Sequence, residues 1–245
     1  GGMVSANLVL RTGTADSLKG KADAGAFAAG LLMRGTERLS RQEIKDAFDQ
    51  LKAQVTVGGG AEGVTASVKT TRENLAPAMA LLAEVLRKPK FDATEFGELQ
   101  RERVNKIEQA MPEPQPLALN AMARMLDATP EGHVKHVLTL PEQLAQVKAV
   151  NVADVKAFHS AFYGADNAAF SAVGDFDPKA VKAQVATLFG DWKSVRPYVR
   201  IPATIKGASG EKIALETPDK ANSILLAVHP LAFKDDAEAY PAVLM

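Results

Sequence analysis

The segment from Ala24 to Thr36 constrains the fold most, because it combines a helical pattern with very little side-chain volume. The helix predicted over residues 21–33 consists largely of Ala and Gly. Residues this small allow a helix backbone to approach a neighbouring element closely. Gly35 supplies the expected C-terminal stop. We therefore expect this helix to pack very tightly against another part of the chain.

The composition excludes several classes of function. The 245 residues are 47% hydrophobic, which suits one large domain or one domain with part of another. Lys plus Arg and Asp plus Glu number 29 each, so no net charge favours nucleic acid or an anionic membrane. The chain has no Cys, which excludes thiol catalysis, disulfides and Cys-ligated zinc. No signal peptide is recognisable, and no apolar run approaches the roughly 18 residues of a membrane span.

Residues 1–200 are predicted to form one α+β domain, with an antiparallel or mixed sheet covered by helices. Helix starts are marked by Ser40, which forms a capping box with Glu43, and by Asn151. The strand at 168–173 is expected to be buried. The predicted strands cover residues 4–10, 54–57, 64–69 and 168–173, and the helices after the one beginning at Ser40 cover residues 75–86, 92–110, 117–126, 141–148, 152–163 and 178–189.

The glycine-rich residues 58–63 are interpreted as the turn of a hairpin between strands 54–57 and 64–69. A phosphate-binding loop is the alternative for such a glycine cluster. It does not fit, because no Lys-Ser or Lys-Thr pair follows and the next element is a strand rather than a helix.

Residues 201–245 are predicted to be a linker followed by the first strands and helix of a second, incomplete domain. Pro and Gly are frequent over residues 194–210. New strands are predicted at 212–216 and 223–228, and a helix is predicted to open at Asp235 or Asp236. A piece this short cannot bury a core by itself. It is therefore expected to pack against the first domain or against sequence that is not part of these 245 residues.

Several motifs, in this order and spacing, resemble the insulinase-like (pitrilysin, M16) peptidases and their mitochondrial processing-peptidase relatives. Residues 31–36 read Leu-Leu-Met-Arg-Gly-Thr, and residues 167–177 read Asn-Ala-Ala-Phe-Ser-Ala-Val-Gly-Asp-Phe-Asp. The sequence Leu-Phe-Gly-Asp-Trp follows at 188–192. The resemblance covers about residues 3–193, and residues 211–245 look like the start of the next repeat.

This resemblance implies a zinc endopeptidase built from repeated α+β domains, which form two halves around a chamber for the peptide substrate. One domain of such a protein carries His-x-x-Glu-His on a helix and a downstream Glu as the third ligand. The homologous domains have usually lost all three. Zinc is therefore expected in a catalytic domain of the full protein or of a partner, and not in this chain.

The positions equivalent to the ligand motif are Ala26, Ala29 and Gly30. None of these residues can bind zinc or activate water. By the spacing of the family, the third ligand would fall near Gln109 or Ala110, which do not suit zinc either. The neighbouring Glu108 is interpreted as a solvated carboxylate on a helix. We predict no catalytic residue and no metal ligand in this chain.

The four histidines are the remaining candidates for a site. His133 and His136 have a spacing that suits a metal on a helix, but nearby Pro and Gly favour a loop, and a structural or exposed role is preferred. His159 and His229 are interpreted as local packing or hydrogen-bonding residues. No serine lies in a Gly-x-Ser-x-Gly elbow.

The sequence therefore predicts a catalytically inactive segment of a zinc-dependent endopeptidase, which closes the chamber and contacts the peptide substrate. Its expected partner is another M16-like domain or subunit that carries the zinc motif. The alternative is a pseudo-peptidase that acts as an assembly or binding subunit, and a third candidate is an unrelated α+β binding module. The resemblance to exported bacterial proteins suggests the periplasm as the compartment.

Overall fold

The computed structural model describes residues 2–207 and 210–229 and contains a four-stranded antiparallel sheet. The strand order is β2-β3-β1-β4, and each neighbouring pair is antiparallel. The strands are β1 (Met3–Arg11), β2 (Gln54–Gly60), β3 (Gly63–Thr71) and β4 (Ala169–Gly174). The predicted α+β class, with a sheet covered by helices, is confirmed.

Helices connect β1 to β2 and β3 to β4, and one helix follows β4. Two 3-10 turns, Leu32–Arg34 and Arg72–Asn74, accompany them. Among the described residues, no helix has the length and apolar character needed to cross a membrane. The helices are α1 (Ala22–Leu31), α2 (Arg41–Gln50), α3 (Leu75–Arg87), α4 (Ala93–Ala110), α5 (Pro114–Leu126), α6 (Leu140–Ala149), α7 (Val152–Phe162) and α8 (Pro178–Phe189).

Capping boxes, in which two side chains and the backbone bond reciprocally, open three of the helices. The predicted capping box of Ser40 with Glu43 opens α2, and Asn151 forms a second box with Asp154 at the start of α7. A third box, which the sequence reasoning did not identify, joins Thr139 to Glu142 at α6. Each box satisfies backbone N–H groups that the first turn of a helix leaves without partners.

The core lies between the helices and one face of the sheet. Side chains alternate along a strand, so each strand sends every second residue to that face. On β1 these residues are Val4, Ala6, Leu8 and Leu10, and all four are buried. Phe27 of α1 is fully buried in the same core and packs on Phe96 of α4, with 5.0 Å between the ring centroids.

The hairpin of β2 and β3 is longer than predicted, and its turn is shorter. Gly58, Gly59 and Gly60 pair with β3, so only Ala61 and Glu62 connect the strands. The prediction of a six-residue glycine turn is therefore wrong. At Gly59 a Cβ atom would collide with the backbone carbonyl oxygen of Gly63, and φ is +157°. The glycines allow two strand backbones to approach closely rather than forming the turn.

The strand at β4 is an edge strand and is not buried as predicted. It pairs only with β1, and its residues are exposed or half-buried. Val173 is 76% exposed. The apolar composition that predicted burial fits a strand between two others, whereas β4 has a strand on only one side.

The two strands predicted at 212–216 and 223–228 do not form. These residues have no regular secondary structure and lie along α5. A strand needs a neighbouring strand for its backbone hydrogen bonds, and a helix cannot provide them. An ion pair of 2.6 Å between Lys220 Nζ and Glu113 Oε1 joins the segment to the start of α5. The helix predicted to open at Asp235 or Asp236 lies outside the described residues.

A buried hydroxyl group in the core has no partner among the described residues. It belongs to Tyr163, whose ring lies 4.5 Å from that of His159 and 6.3 Å from that of Phe158. Burial raises the pKa of the Tyr163 phenol above its usual value.

Replacing Tyr163 with Phe is therefore expected to leave the free energy of unfolding unchanged or to raise it by up to about 1 kcal/mol, since the unpaired hydroxyl is removed. Urea denaturation measures this change. Tyr163→Leu removes the ring contacts as well, so it should destabilise the protein, and equal losses in both variants would contradict the assignment.

Candidate functional site

The helix face that corresponds to the ligand motif lies on α1 and carries only small residues. Ala29 is buried, Ala26 is half-buried and Gly30 is exposed. The adjoining side of α1 packs on the hairpin, where a Cβ atom added to Gly25 would lie 2.7 Å from Ala61 Cβ. The predicted close packing of this helix is confirmed.

The side chain of Arg103 lies across this face. It projects from α4, and its Nη2 atom donates a hydrogen bond of 2.8 Å to the Ala26 carbonyl oxygen. A Cβ atom on Gly30 would lie 3.1 Å from the same nitrogen. The guanidinium carbon is 4.2 Å from the centre of the Phe27 ring, a cation–π distance. Arg103 therefore lies against Ala26 and Gly30, two of the three positions that correspond to the ligand motif.

The guanidinium is half-buried and has the half-buried carboxyl of Asp23 in its surroundings. Burial lowers the pKa of Arg103, while the negative charge of Asp23 acts in the opposite direction. Burial also raises the pKa of the Asp23 carboxyl, and Arg103 opposes that shift. An arginine side chain still stays protonated at neutral pH. The face therefore carries a fixed positive charge.

These residues do not fit a zinc ion. Ala26, Ala29 and Gly30 offer no ligand atom, and a guanidinium has no lone pair and repels a cation. Within residues 2–207 and 210–229, no group of three or more His, Cys, Asp or Glu side chains is arranged to hold a metal. No step of zinc chemistry can be assigned to this segment.

Arg34, which belongs to the Leu-Leu-Met-Arg-Gly-Thr motif at 31–36, joins the end of α1 to α4. Its side chain is only 11% exposed. Its guanidinium lies 2.7 Å from Glu102, 3.4 Å from Glu95 and 4.0 Å from Glu98. An arginine shared by several carboxylates on one helix holds two elements in a defined relation. Arg34 thus fixes the relation of α1 and α4 on which the position of Arg103 depends.

The positions expected for a third ligand lie farther along α4. Gln109 is exposed and Ala110 is half-buried. At 1.5 Å per residue, Gln109 is roughly 9 Å beyond Arg103 along the helix axis. Glu108 is exposed and forms an ion pair of 3.0 Å with Lys148, which agrees with its interpretation as a solvated carboxylate.

Zinc analysis of the purified chain tests the assignment of this face. We expect no stoichiometric zinc, and we expect Arg103→Ala not to gain any, because removing the guanidinium supplies no ligand. Atomic absorption after dialysis against micromolar zinc measures the content. One tightly held zinc per chain would overturn the assignment of Ala26, Ala29 and Gly30 as non-ligands.

A second surface, here called the outer face, is the side of the sheet opposite the core. Its side chains are mostly small and polar, and it forms the floor of an open groove of about 1300 Å³ with residues of α2 on one side. Ser67 Oγ donates a hydrogen bond of 2.8 Å to Asn7 Oδ1 across β3 and β1. The polar residues of the groove floor are Ser5, Asn7, Gln54, Thr56, Ser67, Lys69 and Ser171.

His133 and His136 lie in the loop between α5 and α6, as predicted, and each has a local partner. His133 Nδ1 accepts a hydrogen bond from the Lys135 N–H, and His136 Nδ1 lies 2.8 Å from Asp127 Oδ2. Asp127 also accepts hydrogen bonds from Thr129 and Val137. These contacts organise the loop.

His159 has a packing role, as predicted. Its Nε2 donates a hydrogen bond of 2.8 Å to the Leu86 carbonyl oxygen, which joins α7 to α3. Burial lowers the pKa of His159, although the Leu86 hydrogen bond acts against this shift. His229 is exposed at the end of the described residues.

Sequence reasoning missed Arg103, although the sequence carries a signal for it. Phe96, Leu99 and Arg103 follow each other at helical spacing, so Arg103 extends the apolar stripe of α4. A charged residue at such a position must reach a partner, and here it reaches α1. The outer face was also missed, since strand periodicity shows that one face is polar but not that it lines a groove.

Comparison with known proteins gives one family match for part of the sequence and several solved structures with the same fold. Residues 149–245 match the family model of the peptidase M16 inactive domain. No curated protein has a significant sequence match to this chain.

Three solved structures share the fold. A peptidase M16 inactive domain from Pseudomonas fluorescens has 22% identity and a TM-score of 0.68, over 84% of this chain and 50% of that one. A protease from Helicobacter pylori has 18% identity and a TM-score of 0.66, over 82% and 48%. The periplasmic protease PqqL from Escherichia coli has 18% identity and a TM-score of 0.65, over 80% and 22%.

The present chain thus spans about half the length of the first two structures and about a fifth of the third. The likeness drawn from the sequence motifs is confirmed by the match and by the shared fold. Residues 149–245 carry the sequence features of the M16 peptidase inactive domain, and the chain has the fold of such domains.

Proposed function

We propose that this chain is a non-catalytic wall of an M16-type peptidase chamber, which contacts the peptide substrate while another domain holds zinc. The observation that carries this proposal is the outer face, the polar floor of a groove of about 1300 Å³ on a sheet whose other side is the core. Hydroxyl and amide groups of this kind bind a peptide backbone without requiring one sequence. The Arg103 contact with α1 supports the non-catalytic part of the proposal.

Peptide titration followed by NMR tests the proposal. A capped peptide of about nine residues without charged side chains spans the sheet, at roughly 3.3 Å per residue. Its addition to the isotope-labelled chain is expected to shift the amide signals of Asn7, Thr56 and Ser67. The signals of α5 should move much less.

A matched pair of variants distinguishes binding in the groove from nonspecific binding elsewhere on the surface. Ser171→Trp places a large ring on the groove floor and should weaken binding, whereas Ser160→Trp adds the same ring to an exposed position of α7 outside the groove. Unchanged shifts in Ser171→Trp, or no shifts at any peptide concentration, would contradict the proposal.

The assembly role remains a second candidate function, and an apolar surface favours it. The α5 surface consists of the half-buried α5 residues and the segment that lies along them. Of that segment, Ile213 is 51% and Leu225 is 92% exposed. Surfaces with several exposed large apolar residues mark interaction sites. The α5 residues are Leu117, Ala118, Ala121, Met122 and Met125.

We infer that the occupant of the α5 surface is another M16-type domain, because two solved proteins with this fold have about twice the length of this chain. The division into residues 1–200 and 201–245 remains a prediction within this proposal. A second copy of the chain is the simplest surrogate for that domain. Light scattering should show self-association that rises with concentration and is lost in Met122→Glu. A monomer at every concentration would contradict the assignment.

A further inference from the structure

The outer face is organised in polar rows that run across the strands. Register places Lys69 beside Gln54 on one side and Ser5 on the other, and Val173 ends this row. Side chains directly opposite each other in such rows lie about 5 Å apart. The adjacent row is Thr56, Ser67, Asn7 and Ser171.

Lys69 carries the cationic group in the middle of this neutral floor. The cations of α2 on the side of the groove are already paired, since Arg41 lies 3.6 Å from Glu95 and Lys45 lies 3.3 Å from Asp49. In the part of the chain that the structure describes, Lys69 forms no ion pair within 4.0 Å. Its row neighbours Gln54 and Ser5 are neutral hydrogen-bonding groups.

We propose that the Lys69 ammonium selects a carboxylate on an extended peptide that lies over the outer face. This inference rests on the proposed function and names the chemistry that the groove prefers. The charge is complementary, because an unpaired ammonium meets a carboxylate while the surrounding hydroxyl and amide groups bind the peptide backbone. The carboxylate belongs either to an Asp or Glu side chain or to the C-terminus of the peptide.

Four peptides of about nine residues distinguish these sources, at a length that spans the sheet. Three have both ends capped and differ only in a central Glu, Gln or Lys. The fourth has the central Gln and a free C-terminal carboxylate. Affinities are measured by fluorescence anisotropy at low and high salt.

The Glu peptide or the free-carboxylate peptide is expected to bind about two- to fivefold more tightly than the capped Gln peptide, the range of an exposed ion pair. The difference should shrink in high salt, which screens exposed charges. Whichever of the two gains affinity identifies the source of the carboxylate.

Variants of Lys69 assign the effect to this residue. Lys69→Gln should abolish the preference, and Lys69→Glu should reverse it in favour of the Lys peptide. Lys156→Gln removes the same charge from an exposed position of α7 and should retain the preference. A preference that survives in Lys69→Gln overturns the inference.

The results also separate this inference from the proposed function. Equal binding of all four peptides contradicts the carboxylate preference but leaves the groove as a peptide site. Absence of binding by every peptide contradicts both.

Discussion

Replacing Gly25 with Ala is expected to lower the free energy of unfolding by about 2 to 3 kcal/mol, although Ala is the better helix former. The added Cβ would lie 2.7 Å from Ala61 Cβ and would overlap the Ala61 backbone. Ala61 has little freedom to move, because its carbonyl oxygen accepts a hydrogen bond from the buried Thr12 hydroxyl. Urea denaturation of the two proteins measures the loss.

The same substitution at Gly97 provides the control. Gly97 lies inside α4, and a Cβ atom there would meet only the end of the Arg101 side chain at 3.8 Å. Gly97→Ala should therefore stabilise the protein by about 0.5 to 1 kcal/mol, the usual gain in helix propensity. If both substitutions change the free energy of unfolding by the same amount and in the same direction, the contact between Gly25 and Ala61 is not too close for a Cβ atom.

Local signals in the sequence predicted much of this fold. The capping box of Ser40 and the N-cap at Asn151 depend on residues close in sequence, so they are visible without any tertiary information. The small residues of α1 likewise required a close neighbour, although they did not say which one. The neighbour is the β2–β3 hairpin, which long-range pairing brings to that position.

The failed predictions concern residues whose structure depends on distant partners. Three consecutive glycines suggest a turn, but Gly58–Gly60 form a strand because β3 pairs with them. The alternation at 212–216 suggests a strand, but no sheet edge lies beside it in the described part of the chain. Strand propensity describes how a residue fits a pleated surface, and that surface must be present.

For the candidate site, the sequence predicted which ligand atoms are absent but not which side chain lies there instead. The sequence shows that Ala26, Ala29 and Gly30 carry no ligand atoms, which required no structure. It does not show that a guanidinium from another helix covers the same face. That requires the relation of α1 and α4, which Arg34 helps to fix through its glutamate partners.

The loop between α5 and α6 depends on one carboxylate. The Asp127 side chain is 6% exposed and accepts hydrogen bonds from the Thr129 N–H at 2.8 Å, the Thr129 hydroxyl at 2.6 Å and the Val137 N–H at 2.8 Å. His136 Nδ1 lies 2.8 Å away. Burial alone would raise the pKa of Asp127, but these hydrogen bonds and the nearby His136 outweigh it and lower the pKa to about 2.

Replacing Asp127 with Ala is expected to lower the free energy of unfolding at pH 7 by about 3 kcal/mol, because several buried donors lose their acceptor together. Asp127→Asn keeps the shape and one acceptor oxygen, so its loss should be smaller. Urea denaturation of both variants and the original chain measures these differences.

The dependence on pH tests whether the charge of Asp127 is responsible. The pKa of the folded state, about 2, lies below the unfolded value of 3.8, so the carboxylate stabilises the folded state fully above the unfolded pKa. As the pH falls from 4 towards 2, both states take up the proton and the stabilisation is lost. The difference in the free energy of unfolding between the original chain and Asp127→Ala should therefore be largest at neutral pH and should decrease below pH 4. A difference that stays constant over that range would assign the loss to packing rather than to the carboxylate charge.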